Sequence, residues 1–310
     1  MKASDSCMCP GPSLLRTLMC GLFLLTGAAA LQAQQFSMSI GVHTGIMSTY
    51  TMDNGIDRDP RYRPYYGVKF APIGANFSLN YEHVGFVISP SLINVGQDAY
   101  VLNTTDGDIG DRKYNLKYLN VPIGFKVHFV NLAFLKISAV ASLSGAYLMD
   151  GSETVSHSEG IMDFPKDVYP ILPPNYNIEY DGVAVPAVDQ YVIAGKDDFR
   201  AMQVFAGLGL QSDWDISNNW RVFFDLRVNY GLFDPRTKSY LERLDAHQTL
   251  YDIPGQRHDM FAQLSVGISR YIDFEKSDVD KKKKLKEGRK GYKTSNKYPY
   301  RKPRTSKPGG

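Results

Sequence analysis

The sequence predicts an all-β fold, an eight-stranded antiparallel up-and-down barrel of the kind that spans the bacterial outer membrane. Three observations predict it. Apolar and polar residues alternate with a period of two over long segments, long and short connections alternate between these segments, and an export signal precedes them.

The alternation of period two is clearest in residues 219–233. Trp220, Phe224 and Tyr230 share one face there, while Arg221 and Asp225 share the other. Eight such segments are predicted, at 36–50, 65–81, 84–102, 113–129, 133–149, 199–215, 219–233 and 258–274. They exceed the usual soluble strand of about five or six residues, and they suit tilted strands that cross a membrane.

The connections between these segments alternate in length. Long polar stretches lie at 51–64, 103–112, 150–198 and 234–257, and short joints lie near Glu82-His83, Val130-Asn131 and Ser217-Asn218. Outer-membrane barrels have long extracellular loops and short periplasmic turns. An even number of strands then places both chain ends in the periplasm.

Residues 1–33 have the features of a cleaved signal peptide. Lys2 and Arg16 precede an apolar run from Leu18 to Leu31, and Ala33 suits the cleavage site. The run is too short for a transmembrane anchor of about 20 residues, and the residues before Cys20 make a poor lipidation motif. Because all three cysteines lie within this segment, the mature chain has neither a disulfide nor a cysteine metal site. The predicted barrel domain is 34–274, and 275–310 form a tail.

A soluble β-sandwich or a lipocalin-like barrel would also alternate and follow a signal peptide. Aromatic residues near the strand ends, among them Tyr81, Phe129 and Tyr271, favour the membrane alternative, since aromatic girdles mark both interfaces. Arg270 falls on the apolar side of the last segment. Either its side chain reaches the headgroups, or a bulge turns it inward.

The segment Lys117–His128, KYLNVPIGFKVH, resembles the Tyr-Leu-x-hydrophobic-Pro strand of the Bacteroidota outer-membrane β-barrel family. The resemblance extends over residues 34–274. This family includes PorT-like proteins associated with the type IX secretion system, so the resemblance implies an accessory role in protein secretion. The long loop 150–198 and the tail have no match in the family pattern.

A barrel of eight strands is just wide enough for side chains to fill it, so a polar lumen network is expected instead of a porin channel. A narrow proton or ion path is the alternative. The expected lumen residues are Lys126, His128, Lys136, Arg221, Asp225, Arg227 and Asn229.

No catalytic, cofactor-binding or metal-binding motif is apparent in the sequence, which favours a protein that is not an enzyme. His43 and His128 face the lumen without a carboxylate and a nucleophile at a telling spacing. His157, His247 and His258 are expected to be solvated loop residues.

The loop 150–198 is the candidate extracellular partner site, because loops of this length are usually functional or disordered. An ordered cap that meets a protein partner and a flexible loop are both open, and residues 237–247 could add a short helix. The aromatic candidates are Phe164, Tyr169, Tyr176, Tyr180 and Tyr191.

The tail is strongly basic and has too few apolar residues to build a core. Residues 281–310 hold 13 Lys and Arg against one Glu, or +12, which leaves residues 1–280 at −9. A solubilising end and an electrostatic arm for peptidoglycan or another anionic periplasmic partner are the alternatives, and the compartment argues against nucleic acid. The candidate arm residues are Lys281, Lys282, Lys283, Lys284, Lys286, Arg289 and Lys290.

These features predict a scaffold in the outer-membrane lipid that takes part in protein secretion or envelope assembly. A stand-alone structural or adhesion barrel of the OmpX or OmpA type is the second possibility, and a lipid-modifying barrel enzyme is the third.

Overall fold

A computed structural model of the chain describes residues 36–81, 83–132, 134–164, 182–217 and 219–273. The predicted signal peptide (1–33), the middle of the long loop (165–181) and the tail (275–310) lie outside these residues. The strands are β1 (Phe36–Asp53), β2 (Tyr62–Tyr65), β3 (Val68–Tyr81), β4 (Val84–Ile88), β5 (Ser91–Val95), β6 (Asp98–Leu102), β7 (Asp108–Asn131), β8 (Leu135–His157), β9 (Gly160–Met162), β10 (Val183–Val185), β11 (Val188–Ala194), β12 (Met202–Asp215), β13 (Trp220–Gly231) and β14 (Arg257–Asp273).

Eight wall strands close into an antiparallel ring, as the sequence predicts. The order around the ring is β1, β3, the three pieces β4, β5 and β6, then β7, β8, β12, β13 and β14. β14 pairs with β1 from Ser37 opposite Asp273 to Asp53 opposite Arg257, which closes the barrel. Closure leaves no open sheet edge around the wall.

The third wall strand is a single predicted segment, 84–102, but the structure divides it into three pieces. Pro90 separates β4 from β5, and proline has no N–H for the ladder. Gly96 separates β5 from β6 with φ of 133°, a conformation that favours glycine.

The outer wall is apolar and the inner wall is mostly polar. Large side chains with high exposure on the outer wall include Ile40, Phe70, Ile123, Leu208, Leu226 and Val266. Buried inward side chains include Ser39, Asn76, Lys126, Gln211 and Asp225. This arrangement is the reverse of a soluble barrel, and it presents an apolar band to lipid. Among the residues that the structure describes, no helix has both the length and the apolar composition needed to cross a membrane.

Two strands extend well past the apolar band at one end of the barrel. β7 begins at Asp108 instead of the predicted 113, and β8 continues to His157 instead of ending at 149. Residues 108–117 and 150–157 therefore lie beyond the membrane-spanning part. We call this the loop end, and the opposite end, with joints at 82–83, 132–134 and 216–219, the turn end.

The projecting strands form a sheet with β2, β6 and β11. β6 joins β2 to β7, and β11 pairs with β8. Helix α1 (Lys238–Asp245) lies in the stretch where the sequence predicts a helix, and the Thr237 side chain caps it by accepting from the Tyr240 N–H. These elements build a cap at the loop end.

A bulge in β8 reverses its alternation at the base of this projection. Lys117 pairs with Asp150 and Tyr118 pairs with Leu148, so Met149 is the extra residue. Met149 and Asp150 both face outward, and Glu153 and Val155 face inward afterwards. A bulge of this kind redirects the side chains that follow it.

Arg270 lies on the outer face of β14. It pairs with Ile40 on one side and Trp220 on the other, and neither ladder shifts register there. The bulge alternative is therefore wrong, and the exposed side chain lies near the turn end, where it can reach the headgroups.

Candidate functional site

The lumen at the turn end holds an ion cluster of Lys126, Asp213, Asp215 and Arg221. The Lys126 Nζ lies 3.6 Å from Asp213 Oδ2, and Arg221 NH1 lies 3.9 Å from the same oxygen. Arg221 also donates from Nε to Asp215 Oδ1 at 2.7 Å. The cluster contains two cations and two carboxylates, so the charge of the fully buried Lys126 is compensated.

The predicted residues His128 and Lys136 lie near this cluster. His128 Nδ1 is 2.6 Å from the Ser138 hydroxyl. Lys136 is half-buried and pairs in register with Asp213. Asp213 supplies a negative charge beside Lys126 and Arg221 that the predicted network did not include.

The middle of the lumen holds a second polar group around an ion pair of Asp225 and Arg227. His43, Asn76 and Asn229 line the same small cavity, whose volume is about 20 Å³. A cavity of that size holds about one water molecule. Side chains therefore fill the barrel at this height.

An aromatic layer lies between the middle of the lumen and the loop end. Tyr118, Phe205 and Phe261 are all almost completely buried. Their ring centroids lie 6.0 Å apart between Tyr118 and Phe205 and 5.4 Å apart between Phe205 and Phe261, both edge to face. Such pairs pack as a protein core does, so this layer separates the two ends of the lumen.

The loop-end ion cluster lies above the aromatic layer and is centred on Glu153. Its carboxylate accepts from Arg112 Nε at 2.9 Å and NH2 at 2.6 Å, and from Arg257 NH1 at 2.9 Å. The Tyr240 hydroxyl of α1 donates to the same carboxylate at 3.2 Å, and Arg257 also pairs with Asp53 at 2.6 Å. The cluster thus ties β1, β7, β8, β14 and α1 together.

The pKa of Glu153 follows from these contacts. Burial by itself would raise this pKa, but the Arg257 and Arg112 guanidiniums outweigh burial and hold the pKa well below its usual range. Burial also raises the pKa of Tyr240, and the Glu153 charge adds to that shift. Glu153 is therefore a carboxylate and Tyr240 a neutral donor at physiological pH.

The cap covers this cluster with an apolar core. Tyr62, Val101, Val155, Met162, Ile193 and Tyr251 are among its buried members. Arg61 joins the same region through its salt bridge to Asp59 at 2.5 Å, and its guanidinium lies 4.2 Å from the Phe164 ring centroid. The cap is therefore packed and ordered over the described residues.

Only two of the five loop aromatics expected to meet a partner lie in the described residues. Phe164 packs against the cap core, and Tyr191 of β11 is 39% exposed with its ring 5.3 Å from that of Tyr251. Both contribute to cap packing. Tyr169, Tyr176 and Tyr180 lie outside the described residues, as do the arm residues Lys281 to Lys290.

The expectation that the three loop histidines are solvated is wrong. His157 and His247 are buried, and His258 is half-buried and stacks on Tyr230 at 5.5 Å. His157 Nε2 lies 2.7 Å from the Tyr251 hydroxyl, so it is a cap residue. The ordered cap, which local sequence does not reveal, buries His157 and His247. In the described part of the chain, no group of three or more His, Cys, Asp or Glu side chains is placed to hold a metal ion.

The residues that sequence reasoning missed are Asp53, Arg112, Glu153, Asp213 and Arg257. Asp213 continues the inward alternation of Gln203 and Gln211 along β12, so its position was readable. The inward position of Glu153 could not be predicted from the alternation, because the bulge at Met149 reverses the alternation beyond it. Side chains therefore fill the described barrel, and its water-exposed surfaces lie at its two ends.

Comparison with known proteins gives one family. The sequence profile described as "Outer membrane protein beta-barrel domain" matches residues 32–235, which reach from just before β1 to just past β13. No curated protein matches the chain in sequence.

Several solved outer-membrane proteins match in structure. Neisserial surface protein A is 10% identical, with 76% of this chain and 96% of that chain covered and a TM-score of 0.31. OprG from Pseudomonas aeruginosa is 9% identical, with 78% and 97% covered and a TM-score of 0.34. The outer membrane protease OmpT from Escherichia coli is 6% identical, with 78% and 99% covered and a TM-score of 0.35.

Proposed function

We propose, since the chain belongs to the family of outer-membrane β-barrel domains, that it is a non-enzymatic scaffold or accessory component of protein secretion or envelope assembly. The observation that carries this proposal is the filled lumen. Side chains fill the lumen with ion clusters at both ends, the aromatic layer, and a central cavity of only about 20 Å³. We therefore propose that the protein acts through its surfaces and not as a channel.

The proposal includes an orientation. The loop end faces the exterior and the turn end faces the periplasm, because outer-membrane barrels place their longer loops outside. Both chain ends then lie in the periplasm after the signal peptide is removed. The cap is then available to an extracellular partner, and the segment 165–181 connects two of its strands, β9 and β10, in the chain.

Labelling of a single introduced cysteine tests this orientation. The native cysteines all precede residue 21, so cleavage of the proposed signal peptide removes them and no native thiol is labelled. Lys238→Cys places a thiol on the exposed face of α1, and Lys286→Cys places one in the tail. A membrane-impermeant maleimide added to intact cells is expected to label the first variant alone. Labelling of Lys286→Cys alone would reverse the orientation.

The finer assignment is to a PorT-like component of type IX secretion in Bacteroidota. The segment KYLNVPIGFKVH supports it by resemblance, and it lies on β7, where its side chains alternate between lipid and lumen. The proposed partners are proteins of the secretion machinery. The tail is proposed as a basic arm that contacts peptidoglycan or another anionic periplasmic component, because 13 cationic side chains lie within 30 residues.

Affinity purification from native outer membranes tests the function. Two variants separate the two ends of the molecule. One replaces residues 165–181 by a two-residue turn, which keeps the hairpin because Met162 pairs with Val183. The other ends at Glu275.

We expect secretion components to copurify with the full chain, and each variant to lose a different subset of them. A barrel that purifies alone would contradict the proposal and favour a stand-alone barrel of the OmpX or OmpA type. If cells that carry either variant still secrete protein at the level of the full chain, the segment and the tail are excluded as partner sites.

A further inference from the structure

We propose that the outer face of the loop-end sheet binds the saccharide head of a glycolipid in the surrounding leaflet. This face consists of two rows of side chains that cross β2, β6, β7 and β8. One row is Arg63, Tyr100, Asp111 and Ser156, and the other is Tyr65, Asp98, Lys113 and Thr154. The inference rests on the proposed orientation.

The register and burial of the sheet place these two rows on its outer side. Arg63 pairs with Tyr100, which pairs with Asp111, and Tyr65 pairs with Asp98, which pairs with Lys113. Their neighbours along the strands, among them Tyr62, Val101, Arg112 and Val155, are buried in the cap. Because side chains alternate across a strand, the two rows point away from the apolar core of the cap.

The chemistry of the rows suits a sugar. The rings of Tyr65 and Tyr100 lie 4.5 Å apart, and the Arg63 guanidinium lies 5.6 Å from the Tyr100 ring centroid. Tyrosine presents an apolar ring face with a polar tip, which suits the C–H faces and hydroxyls of a saccharide. Asp98, Asp111 and Lys113 add acceptors and donors around the rings.

The height of the rows identifies the occupant. Leu119 is the last large exposed apolar side chain of β7, and Lys113 lies six residues beyond it. At about 3.3 Å per residue, the distance along the strand is about 20 Å, or about 15 Å along the membrane normal for a tilt near 40°. Ordinary headgroup layers add only about 5 to 8 Å beyond the hydrocarbon. A phospholipid head is too short to reach the rows, whereas a saccharide head is long enough.

The face is also continuous with the lipid-facing wall. β7 and β8 run without a break from the apolar band into the two rows. The Lys117–Asp150 ion pair, at 3.0 Å and well exposed, lies between the band and the rows. Arg63 and Lys113 balance Asp98 and Asp111, so the rows carry no net charge and offer hydrogen-bond donors and acceptors to saccharide hydroxyls.

Binding to defined lipids tests the proposal with the purified full-length barrel in detergent. The probes are lipopolysaccharide that carries a core oligosaccharide, its lipid A alone, and the released core oligosaccharide. The test variant is Tyr65→Ala/Tyr100→Ala. The control is Tyr50→Ala/Tyr66→Ala, which removes a second tyrosine pair, 5.7 Å apart, outside the two rows.

We expect the full chain to bind core-bearing lipopolysaccharide at least about tenfold more tightly than lipid A, and the test variant to lose that preference. The control variant should keep it. Equal binding of both lipids by the full chain, or an unchanged preference in the test variant, would overturn the proposal. Full affinity for the released oligosaccharide would assign a free saccharide and overturn the glycolipid assignment.

The outcome is separable from that of the orientation. The lipid assay measures glycolipid binding by purified protein, whereas cysteine labelling in cells measures which side of the membrane the loop end faces. Capture of a protein by the face, with no lipid preference, would count against the glycolipid.

Discussion

Replacing Glu153 by glutamine should loosen the cap while the barrel stays closed. The substitution keeps the size of the side chain but removes the carboxylate that Arg112 and Arg257 share. Arg257 keeps Asp53, whereas no other carboxylate forms a salt bridge with Arg112 among the described residues. The variant therefore leaves a buried guanidinium without its counter-charge.

The size of the effect follows from burial. Glu153 is completely buried and Arg112 is almost so. Breaking a buried ion pair by removing one partner costs about 3 to 5 kcal/mol. At about 1.4 kcal/mol for each factor of ten, the open cap should become about a hundredfold to several thousandfold more populated.

Amide hydrogen exchange measures this population. The amides of α1 should exchange faster by that factor, because local opening governs their exchange, and those of β12 and β13 should be unchanged. Glu242→Gln makes the same chemical change at an exposed position of α1, and it should have little effect.

A second substitution tests the cause. If an unpaired charge is responsible, adding Arg112→Met to Glu153→Gln should recover part of the loss, because it removes the stranded cation. Exchange in α1 that is unchanged in Glu153→Gln, or a double variant that is worse than the single one, would refute the reasoning.

The cap, the aromatic layer, the barrel wall and the lumen each allow a further test. Because the folded-state pKa of Glu153 is depressed, the stability it gives the cap is present above its unfolded pKa of about 4.3 and is lost as pH falls below it. Cap protection from proteases should therefore be constant from pH 8 to 5 and fall only in stronger acid; loss near pH 6 would contradict this. Phe205→Ala should cost about 3 to 5 kcal/mol in urea unfolding of the detergent-solubilised barrel, since it opens a cavity in the aromatic layer, and a loss under 1 kcal/mol would count against that layer. Gly41→Ala should destabilise the barrel because its Cβ would meet the Ile268 carbonyl, whereas Gly145→Ala has open space and should be tolerated; equal unfolding midpoints would refute this. Planar bilayers with the full chain should show no large, stable conductance steps, and such steps would disprove the filled lumen.

The repeating pattern of the wall was readable from the sequence. Alternation in segments such as Trp220–Gly231 predicted which side chains face lipid and which face the lumen, because a strand has a period of two. The alternation of long and short connections predicted the antiparallel order and the two different ends. Asp225, Arg227 and Asn229 were placed in the lumen by the same alternation, and the structure buries them there.

The sequence did not predict which residues contact those lumen side chains. The sequence placed Lys126 inward but gave no indication that Asp213 lies beside it, because the two residues are on β7 and β12 with β8 between them. Which strand positions meet across the lumen depends on the shear of the closed ring. A local pattern contains no information about that shear.

The sequence by itself determined the eight wall segments, their lipid and lumen faces, and the existence of two unlike ends. Tertiary structure alone decided that the loop end is a packed cap held by Glu153. The physical reason is that alternation is a local property of each strand, whereas the bulge at Met149 and the contacts from Asp53, Arg112 and Arg257 depend on pairing between distant segments.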